Sequence, residues 1–164
     1  MHTRPRLGYV DGQHGQVHYT TLGDGPPVLL LHWAPSNARQ YEHVMPLLAA
    51  QGLRVVAFDL PGYGRSHKDT EGWTCAQLAA ELAVGCDALG IDRGFAVGGH
   101  LSAAVVAELA ILQPERWPRI VLDGSPTLTP EQMAAVMKHF AGLSPVFSDS
   151  GSHKRFVWDM TETF

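Results

Sequence analysis

The sequence predicts an α/β protein built on a mainly parallel sheet that helices cover on both faces. Continuous apolar runs such as Val28–Leu31 are typical of strands buried on both sides, and they alternate along the chain with segments of helical spacing. This alternation is typical of parallel strands joined by right-handed crossover connections. Two earlier runs flank the turn residues 11–15, which predicts an antiparallel hairpin at the start of the sheet.

Six segments have the composition of strands. The first two flank the hairpin turn, and the others are short apolar runs bounded by turn residues. We expect strands at Leu7–Val10, Gln16–Thr21, Val28–Leu31, Arg54–Leu60, Gly94–Gly99 and Arg119–Asp123.

Four segments have the spacing and end signals of helices. Ser36 is a good N-cap and Gly52 a good C-terminal residue for the first helix, which Pro46 should kink or split. The second has apolar residues at helical spacing, and the third is apolar all round. A fourth begins at Thr129, which is followed by Pro130 and an acid. We expect the first three helices at Ser36–Gln51, Thr74–Leu89 and Leu101–Leu112.

The composition is that of a soluble globular domain and narrows the classes of partner. Of the 164 residues, 45% are hydrophobic, which is enough for a core. A net charge of −4 without a basic stripe argues against nucleic acid and anionic membranes as partners. No apolar signal segment follows the first residues, and Cys75 and Cys86 would lie about 16 Å apart on one helix, too far for a disulfide. We therefore expect free thiols and a cytoplasmic protein.

Three segments that could carry chemistry follow predicted strands. His32 and Trp33 come after the third strand, the turn-rich segment Asp59–Ser66 comes after the fourth, and Gly98–Ser102 joins the fifth strand to a helix. In an open parallel sheet, ligands bind beyond the carboxyl ends of the strands. The sequence therefore predicts that the functional site lies where these segments meet.

The segment Gly98–Ser102 has the steric pattern of a sharp strand–turn–helix elbow. The residue at the tip of such an elbow is strained, so the residues two before and two after it must be small. These are Gly98 and Ser102 when His100 is at the tip, whereas Ser102 at the tip would be flanked by the larger His100. The pattern predicts that His100 is presented at the tip.

The order and spacing of these motifs, from about Gly15 to Pro126, resemble the N-terminal part of an α/β-hydrolase. The family motif Asp-x-x-Gly-x-Gly-x-Ser is matched in full by Asp59, Gly62, Gly64 and Ser66. The family elbow Gly-x-Ser-x-Gly is matched with histidine in place of the nucleophile, which is normally Ser, Asp or Cys. The resemblance implies an incomplete core over residues 1–126, whose C-terminal strands are missing, and the start of a helical cap over residues 127–164.

The resemblance also implies roles for residues near the elbow. His100 holds the nucleophile position and Asp123 is a candidate acid. The N–H groups of Leu101 and Trp33, or of Ala34 instead of Trp33, would form the oxyanion hole. His32 would shape the pocket. Metal ions and cofactors are not expected.

One departure from the family pattern concerns the catalytic histidine. The family has this residue near the C-terminus, after the nucleophile and the acid. Only His139 and His153 follow the elbow here, and both fall in the cap-like segment.

The resemblance implies a hydrolase whose partner is a small-molecule substrate that is fairly apolar, most simply a carboxylic ester cleaved by acyl transfer. Epoxide, halide and carbon–carbon hydrolases share the scaffold, but in the first two the residue at position 100 would be aspartate. Three interpretations of His100 stay open: a natural or engineered replacement that leaves a nearly inactive site, a catalytic or base residue in unusual chemistry, or a structural, hydrogen-bonded histidine in a binding pocket. The alternative function is a catalytically silent binding or interaction protein of the same fold. Without a strand beyond Asp123, we expect the chain to self-associate or to pair with a complementing C-terminal segment.

Overall fold

The computed structural model describes residues 4–124, together with 128, 129, 131, 132, 134, 135 and 138. The chain divides by its internal contacts into two units, Met1–Pro126 and Thr127–Phe164. The first unit contains six strands and three α-helices. The strands are β1 (Arg6–Asp11), β2 (Gln16–Leu22), β3 (Pro27–Leu31), β4 (Arg54–Phe58), β5 (Phe95–Gly99) and β6 (Arg119–Asp123). The helices are α1 (Val44–Ala50), α2 (Cys75–Ala88) and α3 (Leu101–Leu112), preceded by a 3-10 helix at Ala38–Tyr41.

The six strands form one sheet in the order β1-β2-β4-β3-β5-β6. Strands β1 and β2 pair as an antiparallel hairpin, and β2 also runs antiparallel to β4. The remaining pairs, β3 with β4, β3 with β5 and β5 with β6, are parallel. The predicted fold class is confirmed: a mainly parallel sheet that begins with an antiparallel hairpin.

The sheet has an apolar core on each face because successive strand residues point to opposite sides. On one face, buried residues of β3 and β4 pack with residues of α2 and α3; the strand residues are Leu29, Leu31, Val56 and Phe58. On the other face, the alternate residues pack with the 3-10 helix and α1; they are Val28, Leu30, Val55 and Ala57. Each of these valine, leucine and phenylalanine side chains stabilises the fold by about 1.5–3 kcal/mol when fully buried.

The segment expected to form one helix over Ser36–Gln51 is instead a 3-10 helix followed by α1. The side chain of Asn37, rather than Ser36, caps the first piece by accepting a hydrogen bond from the N–H of Arg39 at 3.0 Å. Pro46 lies in the first turn of α1, where its missing N–H leaves no intrahelical hydrogen bond unmade. The predicted splitting by Pro46 is confirmed, and the helix is shorter because it restarts only at Val44.

Helix α2 begins where the sequence predicts. The side chain of Thr74 accepts a hydrogen bond from the N–H of Gln77, and the side chain of Gln77 accepts one from the N–H of Thr74. This reciprocal capping satisfies two N–H groups that have no partner within the helix. The second unit shows the same pairing between Thr129 and Gln132, at the predicted start of the fourth helix.

Strand β6 lies at one edge of the sheet and is poorly covered. Val121 is 56% exposed and Leu122 43% exposed, although they point to opposite faces. Within the part of the chain that the structure describes, no strand pairs with the outer edge of β6. Both cysteines are free thiols there, and none of the described helices is long and apolar enough to cross a membrane.

Candidate active site

The elbow between β5 and α3 places His100 at its tip, as predicted. His100 has φ 55° and ψ −126°, and it is the only non-glycine residue with positive φ in the described part of the chain. Gly98 permits this turn, because a Cβ atom there would collide with the carbonyl oxygen of Ser102. The imidazole is exposed, so the strained backbone presents it outward from the carboxyl end of the sheet.

Ser102 fixes the elbow against the end of β3. Its fully buried hydroxyl lies 2.7 Å from the carbonyl oxygen of Leu31 and 2.8 Å from that of His32, and it accepts a hydrogen bond from the N–H of Gly99. A hydroxyl has one proton and two lone pairs, so it can donate to one of these carbonyls while accepting from Gly99. Ser102 is therefore a structural link between two strands and not a second nucleophile.

His32 is fully buried and connects the loops that follow β3 and β4. Its Nδ1 lies 2.8 Å from the carbonyl oxygen of Trp33, and its Nε2 accepts a hydrogen bond from the N–H of Leu60 at 3.0 Å. One nitrogen donates and the other accepts, which requires the neutral ring. Burial lowers the pKa of His32, which also favours the neutral form. The ring packs edge-on against Tyr63 of the turn that follows β4, and the role of His32 in a pocket stays a prediction.

The loop after β3 contains the predicted oxyanion-hole donors. The N–H of Trp33 donates a hydrogen bond to Oε1 of Gln40 at 3.0 Å, so this donor is already engaged. Its indole covers Gly99, where a Cβ atom would collide with the ring. Ala34 is half-buried in the same loop. Leu101 is the first residue of α3, so its N–H has no intrahelical partner and can serve a ligand at the elbow.

Asp123 ends β6 beside the elbow. Its carbonyl oxygen accepts a hydrogen bond from the N–H of His100 at 3.0 Å, and its side chain is exposed. Nearby, the hydroxyl of Tyr41 donates to the carbonyl oxygen of Leu31. Burial, with a smaller contribution from the Asp123 carboxylate, raises the pKa of Tyr41 to about 12. The ends of β3, β5 and β6 therefore meet at one place, with His100 and Asp123 at its surface.

Asp59 organises the turn that follows β4. This buried carboxylate accepts hydrogen bonds from the N–H groups of Ala38 and Arg65, and its Oδ2 lies 3.0 Å from Nδ1 of His18. The hydroxyl of Ser66 donates to the carbonyl oxygen of Asp59 and accepts from the N–H of His18. Asp59 and Ser66 of the motif thus form a hydrogen-bond network that holds the turn.

A second buried carboxylate, Glu81 of α2, was not anticipated from the sequence. It is 1% exposed and accepts hydrogen bonds from the N–H groups of Gln13 and His14, with Nδ1 of His14 also at 3.0 Å. His67 approaches the same carboxylate at 3.5 Å. The hairpin turn is thereby fixed to α2. No group of three or more metal-ligating side chains is present among the described residues.

Several predicted features lie outside the described residues. These are His139, His153 and most of the cap-like segment 127–164.

Comparison with known proteins establishes the family. A family model for the alpha/beta hydrolase fold matches residues 26–150, which is most of the chain, so the protein belongs to the α/β-hydrolase family. A curated relative, bifunctional epoxide hydrolase 2 of Mus musculus, is 30% identical over 144 residues, covering 86% of this chain and 26% of that protein. Epoxide hydrolase B of Mycobacterium tuberculosis is 36% identical over 99 residues, covering 59% of this chain and 28% of that protein.

Shorter and structural similarities indicate the same branches of the family. A haloalkane dehalogenase of Mycobacterium marinum is 48% identical over 62 residues, covering 37% of this chain and 21% of that protein. The crystal structure of an epoxide hydrolase from Vigna radiata superposes with a TM-score of 0.73 at 26% identity, covering 84% of this chain and 46% of that one. The chain therefore spans only about a quarter of the two epoxide hydrolases compared by sequence and less than half of this solved structure.

Proposed function

We propose that this chain carries the elbow half of an α/β-hydrolase from the branch that acts on epoxides and alkyl halides. The observation that carries the proposal is the exposed imidazole of His100 at the strained tip of the elbow. The similarity to epoxide hydrolases and a haloalkane dehalogenase supports this branch more than the carboxylic-ester branch first expected. The substrate would be a small, fairly apolar electrophile.

The identity of residue 100 decides what such a site can turn over. A carboxylate that attacks an alkyl carbon displaces halide, or opens an epoxide, and forms an alkyl ester that water can hydrolyse. An imidazole that attacks the same carbon forms an N-alkyl imidazolium, which has no carbonyl for water to attack. An acyl-imidazole, formed from an ester, does have such a carbonyl. With His100 we therefore expect little turnover of epoxides and halides, and at most weak turnover of activated esters.

A second candidate function is a catalytically silent binding protein of the same fold. The N–H of Trp33 is engaged by Gln40, so one of the two expected oxyanion donors is not free. In addition, the ring of His100 has no hydrogen-bond partner within the described part of the chain, so no base or acid is positioned on it there. Both observations favour ligand binding without chemistry.

The substitution His100→Asp tests the proposal. With 1-bromohexane, the new carboxylate should displace bromide and leave a hexyl ester on the protein, which intact-mass spectrometry detects as one added hexyl group. The matched control is His43→Asp, which places a carboxylate at a histidine that precedes α1 and whose side chain is 93% exposed. Labelling of His100→Asp, mapped to residue 100 and absent from the control, is the expected result.

The outcomes separate the candidates. Absence of labelling in His100→Asp, or equal labelling in His43→Asp, contradicts the proposed branch. Steady hydrolysis of p-nitrophenyl acetate by the unmodified chain, abolished in His100→Ala, would establish acyl transfer by His100 instead. Absence of both reactions, with saturable binding of 1-hexanol to the unmodified chain, would favour the silent binding protein.

A further inference from the structure

A cavity of about 320 Å³ lies beside β2, apart from the elbow. His18 and Thr20 form one wall, and because they are two residues apart they project from the same face of β2. Asn37 and Arg39 contribute from the 3-10 helix and its cap, and Arg65 contributes from the turn after β4. The residues of the elbow and the predicted oxyanion hole are not part of this lining, so the cavity is distinct from the candidate active site.

Asp59, the only acidic residue among the described residues of the lining, is already satisfied. Oδ1 accepts from the N–H of Ala38, and Oδ2 accepts from the N–H of Arg65 at 2.8 Å and lies 3.0 Å from Nδ1 of His18. Since an ionised carboxylate can only accept, Nδ1 of His18 carries the proton of that contact. Both carboxylate oxygens of Asp59 are therefore occupied by donors of the protein itself.

The other polar groups of the lining are mainly donors. The guanidinium of Arg65 has no ion pair with any described residue, and the guanidinium of Arg39 uses only Nε, which lies 3.3 Å from Glu42. A guanidinium has five N–H donors, so most remain available on both residues. The side-chain oxygen of Asn37 accepts from the N–H of Arg39, which leaves the amide nitrogen of Asn37 as a further donor.

His18 lies in the inner wall of the cavity. Its side chain is only 5% exposed, and Nε2 has no hydrogen-bond partner among the described residues. Because Nδ1 carries the proton of the contact with Asp59, Nε2 of a neutral ring is an acceptor, and it is itself shielded from solvent. Nε2 therefore offers no donor to a ligand, and the side-chain N–H donors that remain in the lining are those of Asn37, Arg39 and Arg65.

We propose that this cavity binds a small anion of the carboxylate or phosphate-monoester class, held between the guanidinium groups of Arg39 and Arg65. Planar guanidinium groups match the paired oxygens of both anions. Asn37 donates a further hydrogen bond, and Thr20 and the ring of His18 form the inner wall. The site is separate from the elbow and does not depend on the function proposed for His100.

Calorimetric titration of the 164-residue chain with phenyl phosphate, inorganic phosphate and benzoate tests this site. Saturable binding is expected, and Arg65→Gln and Arg39→Gln should each weaken it about tenfold, the loss corresponding to one charge-assisted hydrogen bond. The matched control is Arg119→Gln, which removes the same charge at an exposed position on β6, at the opposite edge of the sheet. Unchanged circular dichroism of each variant shows that it is folded.

Each result decides for or against the site. Selective weakening by the two cavity substitutions supports it, and the preferred anion among the three identifies phosphate monoester, free phosphate or carboxylate as the ligand class. Equal weakening by all three substitutions indicates general charge attraction and overturns the proposal. Absence of saturable binding by any of the three anions also overturns it.

Discussion

The turn after β4 and the elbow after β5 both follow parallel strands at the carboxyl end of the sheet. Their polar residues nevertheless have opposite environments. In the first, the carboxylate of Asp59 is 3% exposed and accepts hydrogen bonds from two backbone N–H groups. In the second, the backbone of His100 is fixed while its imidazole faces outward. A polar residue that the fold fully satisfies is structural, whereas one that the fold strains and exposes is available for chemistry.

Asp59→Ala should have the largest effect on stability. The substitution leaves the N–H groups of Ala38 and Arg65 and the Nδ1 of His18 without their shared acceptor, so the free energy of unfolding should fall by about 3 kcal/mol. Urea denaturation measures this change. The control Asp92→Ala removes an exposed carboxylate in the bend between α2 and β5 and should cost under about 1 kcal/mol. Equal losses would contradict the structural role of Asp59.

Glu81→Gln tests whether the second buried carboxylate behaves like Asp59. Burial by itself would raise the pKa of Glu81, but the hydrogen bonds from His14 and Gln13 together lower it below the usual 4.5. Because this pKa is lowered in the folded protein, the ionised carboxylate of Glu81 stabilises the fold above about pH 4.5. That stabilisation is lost as the pH falls through the pKa that Glu81 has in the folded protein. We expect Glu81→Gln to cost about 2 kcal/mol at pH 7 and less at pH 3.

The comparison for Glu81 is Glu115→Gln, an exposed carboxylate beyond α3. Denaturation curves of both variants at pH 7 and pH 3 distinguish the buried carboxylate from the exposed one. A cost for Glu81→Gln that does not change with pH would show that its charge is unimportant.

The exposed edge at β6 predicts self-association of the 164-residue chain. Edge strands with apolar side chains pair with other chains, and a lysine on the edge opposes this. Val121→Lys should therefore weaken association about tenfold, corresponding to about 1.4 kcal/mol. Sedimentation at protein concentrations on the order of tens of micromolar measures this self-association. Leu47→Lys, at a 69% exposed position on α1, is the control; a monomeric unmodified chain would refute the prediction.

The smallest expected effect concerns the strain at the elbow itself. At φ 55°, glycine has no steric penalty, whereas alanine retains the Cβ atom of histidine. His100→Gly should therefore be more stable than His100→Ala by about 1 kcal/mol, as thermal or urea unfolding would show. If His100→Ala were as stable as His100→Gly or more stable, the elbow would be unstrained. The contrast between the elbow and the turn of Asp59 would then be wrong.

Local patterns in the sequence were sufficient for most of the fold. The strands and helices follow apolar spacing and end signals, and the tip position of His100 follows from the small residues at 98 and 102. The splitting effect of Pro46 was also foreseeable, but the start of α1 at Val44 was not, because no side chain caps this helix and the sequence therefore carries no end signal there.

Contacts between distant segments could not be inferred in the same way. The hydroxyl of Ser102 reaches the carbonyl of Leu31, 71 residues earlier, and His18 reaches Asp59, 41 residues later. Glu81 and its neighbour Leu82 are both buried in α2. The burial of Glu81 depends on the position of the hairpin turn, which contacts it through His14. These partners become apparent only when the sheet order is known. The roles assigned to His100, Asp123 and the oxyanion donors stay predictions.

The elbow is held by atoms that every amino acid at position 100 other than proline would possess. Its N–H is bound by the carbonyl of Asp123, and the turn is tied to β3 through Ser102, while the imidazole contributes nothing to these links. Histidine and aspartate codons differ only in their first base. A single nucleotide substitution can therefore exchange an imidazole for a carboxylate at this position without removing any of the hydrogen bonds that hold the elbow.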